Sequence, residues 1–279
     1  MGAVYAALDE RLERAVAIKV LLEAERKGQV AVARFEREAK AMAAIRHPGI
    51  VEVYDRGQDG GLFYVVMERL EGHDLAHRIL HEAPLEVGDT VLIGAQVADA
   101  IAEAHRMRIA HRDIKASNIF LSKVGDGKQV VKVLDFGLAK LMKDTEALTH
   151  ANQIIGTLGY MSPEQVQAKK DITTATDIYA LGVVLYEMLT GWLPFMAGSR
   201  MELCYQIVNE PPPSVTERVS DVPSGLDNLV QRCLAKKPES RPSAVEVAQL
   251  LRDDTAVRGG SLRPEGMVSL PPPVRIGED

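Results

Sequence analysis

The sequence has few cysteines and no excess of basic residues. Its 279 residues contain two cysteines, Cys204 and Cys233. They are too few and too far apart for a disulfide framework or a zinc site, so we interpret them as buried free thiols in a reducing cytoplasm. The formal net charge is -6, which excludes a nucleic-acid binder that relies on a generally basic surface.

Signals for export or for membrane insertion are also lacking. The chain begins Met-Gly-Ala-Val-Tyr, with no basic segment followed by an apolar one, so no signal peptide is expected. The most apolar run, residues 178–193, contains Glu187 and is short for a bilayer, which favours a buried core helix over a membrane span. Hydrophobic residues make up 46% and charged residues 26%, typical of a globular protein of one large domain or two closely packed lobes.

Apolar periodicity predicts strands early in the chain and helices later. The predicted strands are residues 15–22, 51–54, 62–67, 119–121 and 130–134, with a turn at residues 56–61. The predicted helices are residues 29–46 and 90–108, with further helices from 177 to about 252. Residues 253–279 are rich in glycine, proline and charge, and we expect them to be a disordered tail or linker.

The residues best suited to chemistry lie in the segment His111-Arg112-Asp113-Ile114-Lys115-Ala116-Ser117-Asn118. A carboxylate can orient and deprotonate a hydroxyl, a lysine can neutralise a moving phosphoryl group, and an asparagine can hold a divalent metal. Further along, Asp135-Phe136-Gly137 follows an apolar strand, where a second carboxylate can hold a metal over phosphates. The combination indicates phosphoryl transfer.

In this order and spacing, the residues resemble the catalytic and metal-binding loops of eukaryotic-type (Hanks-type) serine/threonine protein kinases. The sequences of several segments most resemble those of bacterial members. The resemblance runs from Gly2 to about Arg252. It implies a bilobal α+β protein-kinase fold. A small β-rich N-lobe with one helix would occupy residues 1–67, a hinge residues 68–72, and a larger α-helical C-lobe residues 73–252.

The resemblance assigns the chemical roles. Asp113 would be the catalytic base and Lys115 the phosphate neutraliser, while Asn118 and Asp135 would bind Mg²⁺ or Mn²⁺. Lys19, in Val16-Ala17-Ile18-Lys19, would contact the ATP phosphates and be held by Glu38. The other predicted ATP-site residues are Gly2, Val4, Ala17, Met67, Glu68, Leu70 and Phe120. Among these, Met67 would be the gatekeeper, residues 68–70 the hinge that meets adenine, and Val4, Ala17 and Phe120 the apolar sandwich around the ring.

Other residues would support the site or regulate it. The resemblance makes His111 structural, places Asp177 under the catalytic-loop backbone, and pairs Arg241 with Glu164 in the Ser-Pro-Glu element. Arg112 would bind a phosphate on the activation segment, and we hypothesise that this phosphate is on autophosphorylated Thr149.

Lys115 and Gly156-Thr157 resemble the serine/threonine pattern, in which the hydroxyl of Thr157 touches the catalytic aspartate and lysine. The expected partners are therefore proteins with serine or threonine acceptors. The sequence gives no prediction of the substrate protein, the activating signal or the oligomeric state.

Three histidines outside these motifs, His73, His77 and His81, recur every four residues, a spacing that can bind a metal on one helix face. Gly72 and Pro84 limit any helix here to a short one, and the family has no metal at this place. The favoured interpretation is three solvent-facing histidines.

The chain departs from the family at its start. The glycine loop reads Gly-x-Gly-x-x-Gly-x-Val in the family, but only Gly2 and Val4 match it, and the preceding strand and two glycines are missing. Two explanations stay open: a genuine short product with an exposed strand edge, or a start assigned at an internal methionine, which is the favoured one. Ala116, where proline is common, and Arg69 in the hinge remove no chemical group.

Three functions compete at this point. The favoured one is an active, ATP- and magnesium-dependent serine/threonine protein kinase. The second is a non-catalytic nucleotide-binding scaffold, a pseudokinase by truncation, because the loop that covers the phosphates is incomplete. The third is a small-molecule phosphotransferase, against which the Ser-Pro-Glu element and Arg241 argue.

Overall fold

The computed structural model describes residues 2–21, 44–60, 62–125, 128–135 and 157–253. The strands are β1 Gly2–Asp9, β2 Arg14–Leu21, β3 Val53–Asp59, β4 Leu62–Glu68, β5 Gly72–Asp74, β6 Ile119–Val124 and β7 Lys128–Val133. The helices are α1 Leu75–Glu82, α2 Val87–Arg106, α3 Pro163–Val166, α4 Ala175–Thr190, α5 Arg200–Asn209, α6 Ser224–Cys233 and α7 Ala244–Arg252. Most of the predicted helix 29–46, and the predicted tail from residue 254 on, lie outside the described residues.

The N-lobe is an antiparallel sheet in the order β1-β2-β4-β3. Strand β2 lies between β1 and β4, and its register places Lys19 opposite both Val4 and Val65. Directly opposed residues of antiparallel strands point to the same face, so Val4, Lys19 and Val65 form one row across the sheet. Strand β1 is an edge strand among the strands that the structure describes.

The predicted turn at residues 56–61 is too long. Strand β3 continues through residues 55–59, which pair with Val66 to Leu62 of β4, so the hairpin closes after Asp59. The glycines and charged residues of this segment resemble a loop in a local pattern. Pairing with an apolar neighbouring strand overrides that local preference.

The C-lobe is built around α4, which is buried along almost its whole length. Its residues are apolar on every side, as expected of a helix enclosed by other helices. Helices α2 and α6 pack against it, and α7 packs against α2. Gly182 permits the close approach of α6, because a Cβ at this position would lie 2.7 Å from the Cβ of Cys233. None of the helices in the described ranges combines the length and apolar character that a bilayer crossing needs.

Two helix ends in the C-lobe are fixed by local sequence features, one by a side-chain cap and the other by a glycine. Ser243 and Glu246 form a reciprocal capping box at the start of α7, which satisfies two backbone N–H groups that the helix leaves unpaired. Gly191 ends α4 with a left-handed backbone, φ 76°, and donates its N–H to the carbonyl of Glu187.

A second sheet, in the order β5-β6-β7, lies where the two lobes meet. Ile50 of the N-terminal part forms a parallel bridge to Val133 of β7. The N–H of Val51 donates to the carbonyl of Val133 at 3.1 Å, and the N–H of Val133 donates to the carbonyl of Gly49 at 2.8 Å. Strand β7 therefore links residues 49–51 to the segment that carries the predicted metal ligand Asp135.

Candidate active site

The catalytic-loop segment connects α2 to β6 and carries three polar side chains in contact. The carboxylate of Asp113 lies 3.0 Å from the Nζ of Lys115. Asn118 donates from its amide nitrogen to both the carbonyl oxygen of Asp113, at 2.8 Å, and the Oδ2 of Asp113, at 3.1 Å. A 3₁₀ turn over residues 116–118 brings the asparagine back toward the aspartate. A carboxylate, an ammonium and an amide are thus held within hydrogen-bonding distance.

Asp135 is placed beside Asn118 by sheet pairing. Ile119 is opposite Val133 in the β6–β7 pair, and the next residue, Leu134, donates its N–H to the carbonyl of Asn118 at 2.8 Å. Asp135 follows directly, with a left-handed φ of 59°. Such a backbone is uncommon for a residue with a side chain and is concentrated at functional sites.

Lys19 reaches this region from the N-lobe. Its Nζ lies 2.5 Å from the Oδ2 of Asp135, and both side chains are largely shielded from solvent, with 17% and 27% exposed. The contact joins a strand of the N-lobe sheet to the segment that follows β7. Glu38, the predicted partner of Lys19, lies outside the described residues, as do Phe136 and Gly137.

The predicted adenine-site residues of the N-lobe share one face of the sheet. Val4 is opposite Lys19, Met67 is opposite Ala17, and Ala17 lies two positions from Lys19 on β2. Val4 is 62% exposed. Phe120 comes from the second sheet, where it is paired with Lys132 of β7.

The predicted hinge starts at the end of β4. The carboxylate of Glu68 accepts from the Nζ of Lys132 at 2.5 Å and from the N–H of Glu52 at 2.8 Å. Leu70 follows in irregular backbone. The Glu68–Lys132 pair was not predicted from the sequence. Its partners are 64 residues apart, and no local pattern indicates such a contact.

A buried carboxylate holds the catalytic loop from below. Asp177, 1% exposed in the first turn of α4, accepts the N–H of His111 at 2.8 Å and the N–H of Arg112 at 2.7 Å. It also lies 2.8 Å from the Nε2 of His105 at the end of α2. His105 was not predicted to belong to the site, because a lone histidine near a helix end carries no signal of its partner.

His111 connects the same loop to β7. Its Nδ1 accepts the N–H of Asp113 at 3.2 Å, so the Nε2 carries the proton and donates to the carbonyl of Leu134 at 2.7 Å. The side chain is fully buried. His111 thus holds Leu134, the residue before Asp135, at a fixed distance from Asp113, the candidate base.

We expect Asp177→Asn to lower the free energy of unfolding by about 3 kcal/mol. Asparagine replaces one carboxylate oxygen by an NH₂ group, so one of the two backbone N–H groups that Asp177 accepts in the wild type would face a second donor and lose its hydrogen bond. Urea denaturation followed by circular dichroism measures the change. The exposed Asp171→Asn is the matched control and should unfold as the wild type does. Equal stability of the two variants would contradict the anchoring role of the carboxylate.

Three segments converge on residues 175–177, which we call the α4 anchor. Asp177 binds the catalytic loop, the hydroxyl of Thr176 lies 2.7 Å from that of Ser162, and the carbonyl of Ala175 accepts from Arg241 at 2.9 Å. One turn of helix therefore positions the catalytic loop, the start of α3 and the segment before α7.

Glu164 and Arg241 form a buried bidentate ion pair at 2.7 and 2.9 Å. Arg241 also donates to the carbonyls of Ala235, Lys236 and Ala175. Burial opposes ionisation of the Glu164 carboxyl, but the hydrogen bonds and positive charge of Arg241, with further hydrogen bonds from the backbone and from Ser162, together outweigh it and lower the pKa of Glu164. Next to Glu164, Gln165 donates to the carbonyl of Arg112 at 2.9 Å, a link to the catalytic loop that was not predicted.

Arg112 and the predicted phosphorylation sites are only partly described. The guanidinium of Arg112 donates to the carbonyl of Ile172 at 3.3 Å, and its Nε has no hydrogen-bond partner within the described residues. Thr149 lies outside those residues. Thr157 is half-buried where the chain is described again. The phosphate-binding role of Arg112 stays a prediction.

Tyr160 is a further residue that sequence reasoning missed. Its hydroxyl donates to the carboxylate of Glu187 at 2.5 Å. Burial raises the pKa of Tyr160, and the neighbouring Glu187 raises it further. A backbone hydrogen bond to Ala116 connects the same phenol to the catalytic loop. The phenol therefore stays protonated and links that loop to α4.

The donor atoms present suit a hard divalent cation. Asn118 uses its amide nitrogen toward Asp113, which leaves its carbonyl oxygen as the donor, and Asp135 supplies a carboxylate. Mg²⁺ is commonly held by one or two such side chains together with substrate phosphates, rather than by a full protein cage. Within the described residues, no three His, Cys, Asp or Glu side chains surround one position that could hold a metal ion.

Comparison with known proteins decides the family. The family described as "Protein kinase domain" matches residues 1–251. The chain belongs to the protein kinase family. It is 39% identical over 253 residues to the serine/threonine-protein kinase pkn3 of Myxococcus xanthus, covering 88% of this chain and 46% of pkn3. It is 37% identical over 246 residues to PrkC of Bacillus subtilis, covering 88% of this chain and 37% of PrkC.

Solved kinase structures agree with the fold. A double mutant of the PknI kinase domain of Mycobacterium tuberculosis superposes with a TM-score of 0.71 at 27% identity, covering 91% of this chain and 90% of that one. The predicted bilobal α+β kinase fold and the predicted membership among bacterial serine/threonine protein kinases are confirmed. The kinase spans less than half the length of pkn3 and of PrkC.

Members of this family use ATP and a divalent metal. The relatives named above are serine/threonine protein kinases, and none of the comparisons favours the pseudokinase alternative. The structure brings Lys19, Asp113, Lys115, Asn118 and Asp135 to one region at the junction of the two sheets.

Proposed function

We propose that this kinase transfers the γ-phosphoryl group of ATP to serine or threonine hydroxyls of protein substrates. The observation that carries the proposal is the contact of Asp113 with Lys115 and Asn118, beside the Lys19–Asp135 pair. In this arrangement a carboxylate can take a proton while neighbouring cations neutralise phosphate charge.

Each residue has one task in the transfer. A carboxylate oxygen of Asp113 accepts the proton of the substrate hydroxyl. At the same time the hydroxyl oxygen bonds to the γ-phosphorus, and the bond between that phosphorus and the ADP oxygen breaks. The ammonium of Lys115, 3.0 Å from Asp113, would donate to the oxygens of the phosphoryl group in transfer. Lys19 binds the remaining phosphates from the N-lobe side.

Asn118 and Asp135 would hold the divalent metal, Mg²⁺ or Mn²⁺. When bound, the metal neutralises phosphate charge. The protein's own contribution is to orient the two ligands, through the Leu134 N–H bond to the Asn118 carbonyl and the Asn118 amide bond to Asp113. The first bond holds the backbone of Asn118 and the second holds its side-chain amide, so the side-chain oxygen has a defined direction.

The serine/threonine preference is supported by Lys115 beside the base and by Thr157 in the segment that precedes α3. The adenine ring would lie between Ala17 and Val4 above and Phe120 below, and the hinge backbone at residues 68–70 would meet its polar edge. A signalling role and a cytoplasmic location are part of the proposal. The second is supported by Cys204 and Cys233, which are free thiols.

The proposal is tested by incubating the purified chain with radiolabelled ATP, Mg²⁺ and a generic basic protein. We expect label on serine or threonine of the acceptor and a loss of more than about a hundredfold in Asp135→Asn, because the metal loses its charged ligand. The exposed Asp171→Asn is the matched control and should label the acceptor at the wild-type rate.

Two outcomes would overturn the proposal. Equal labelling by wild type and Asp135→Asn would assign the activity to a contaminant. Binding of ATP in calorimetry without any transfer would favour the pseudokinase alternative instead.

A further inference from the structure

Three histidines next to the hinge are in ring contact outside the active site. His73 lies on β5, and His77 and His81 lie on α1 one turn apart. The ring centres of His73 and His77 are 5.0 Å apart, and those of His77 and His81 are 4.4 Å apart. His73 is on a strand and half-buried, unlike the solvent-facing histidine expected from the sequence, whereas His77 and His81 are exposed.

The spacing of His77 and His81 fits a shared metal ion. Two histidines at positions i and i+4 of a helix form the pair used by helical zinc sites. An ion about 2.1 Å from one nitrogen of each imidazole, in tetrahedral geometry, sets the ring centres roughly 5 Å apart. The observed 4.4 Å is within a small side-chain adjustment of that value.

The local charges do not oppose a cation. Arg78, which lies between the two histidines in sequence, is neutralised by Glu82 at 2.9 Å and by Asp89. Asp74 begins the helix and accepts the N–H of His77 at 2.8 Å, which fixes the backbone of the first turn. Neither imidazole has a hydrogen-bond or ion-pair partner within the described part of the chain, so ligand nitrogens stay available.

We propose that His77 and His81 form a surface site for an imidazole-preferring transition-metal dication such as Zn²⁺ or Ni²⁺. Two imidazoles supply the protein ligands and water completes the shell. In the conformation described, His73 does not converge with the other two on one metal position. It packs against His77 and limits the rotation of that ring. The site is separate from the oxygen-ligand pair Asn118 and Asp135 and is independent of the proposed phosphoryl transfer.

The site is tested by titrating the full chain with Ni²⁺ in the presence of millimolar Mg²⁺, which occupies hard oxygen ligands in preference. We expect one bound Ni²⁺ by calorimetry. His77→Ala and His81→Ala should each weaken binding at least about tenfold, since even changes outside the ligand shell cost that much. Leu80→Ala, an exposed position of the same helix, is the matched control and should bind as the wild type does. Alanine favours helix at exposed positions, so these variants keep the fold.

A further measurement assigns the site. Paramagnetic broadening by Ni²⁺ should select the imidazole resonances of His77 and His81 over those of His47 and His105. Equal Ni²⁺ affinity in wild type and both His→Ala variants, no binding at all, or loss of binding in His73→Ala but not in His81→Ala would each overturn the proposal.

Discussion

Replacing Asp113 by asparagine should lower the rate of phosphoryl transfer by about two to four orders of magnitude, the usual contribution of a general base. The amide keeps an oxygen that can accept from Lys115 and Asn118, which now contact the carboxylate at 3.0 and 3.1 Å. It cannot take the proton of the acceptor hydroxyl. Steady-state rates with radiolabelled ATP and a protein acceptor measure the loss.

The reason to choose asparagine is that it separates chemistry from binding. Asp113 lies in the catalytic loop, where it contacts Lys115 and Asn118, and asparagine preserves both contacts. ATP affinity measured by calorimetry should therefore change less than about threefold, under 1 kcal/mol. Asp221→Asn, an exposed aspartate in the C-lobe, is the control for the substitution itself. A rate within tenfold of wild type at unchanged ATP affinity would remove Asp113 from the role of base.

Replacing Arg241 by alanine should lower the free energy of unfolding by about 3–5 kcal/mol, the cost of leaving one member of a buried ion pair without its partner. The side chain of Arg241 is fully buried and that of Glu164 is 3% exposed. The change also leaves the carbonyls of Ala235, Lys236 and Ala175 without their donor. Urea denaturation at neutral pH measures the difference.

A pH series adds an independent check on the same pair. Because the pKa of Glu164 is lowered in the folded state, its contribution to stability is present above its unfolded pKa of about 4.3 and is lost as the pH falls through the folded value. The decrease in the free energy of unfolding on acidification should be smaller in Arg241→Ala than in the wild type, because the carboxyl of Glu164 no longer has its cationic partner. Arg106→Ala is the matched control, since its side chain is 72% exposed in its pair with Glu103 and the pair should contribute little. Stability of Arg241→Ala equal to that of the control would refute the buried-pair argument.

Local patterns predicted the parts of the kinase in which one segment carries its own signal. The strand around Lys19 was predicted as residues 15–22 and is observed as Arg14–Leu21. The helix predicted at 90–108 is observed as Val87–Arg106. Apolar periodicity defines such elements well because burial of one face is a property of the segment itself.

Contacts between distant segments could not be predicted in the same way. His105 meets Asp177 across 72 residues, and Lys19 meets Asp135 across 116. Each is an ordinary charged or titratable residue in its own segment, and only the packing of helices and sheets brings the partners together. The length of β3 was underestimated for the same reason, since its last residues are extended by pairing with β4.

The α4 anchor makes chain length as restrictive as residue identity in this part of the kinase. A helix turns by about 100° and rises 1.5 Å with each residue. One residue inserted between Ala175 and Asp177 would therefore swing the carboxylate away from the N–H groups of His111 and Arg112 while the carbonyl of Ala175 stayed in place under Arg241. The orientation of the catalytic loop relative to the Glu164–Arg241 pair would then change, although every side chain involved was still present. The first turn of α4 should accordingly tolerate conservative replacement better than any insertion or deletion.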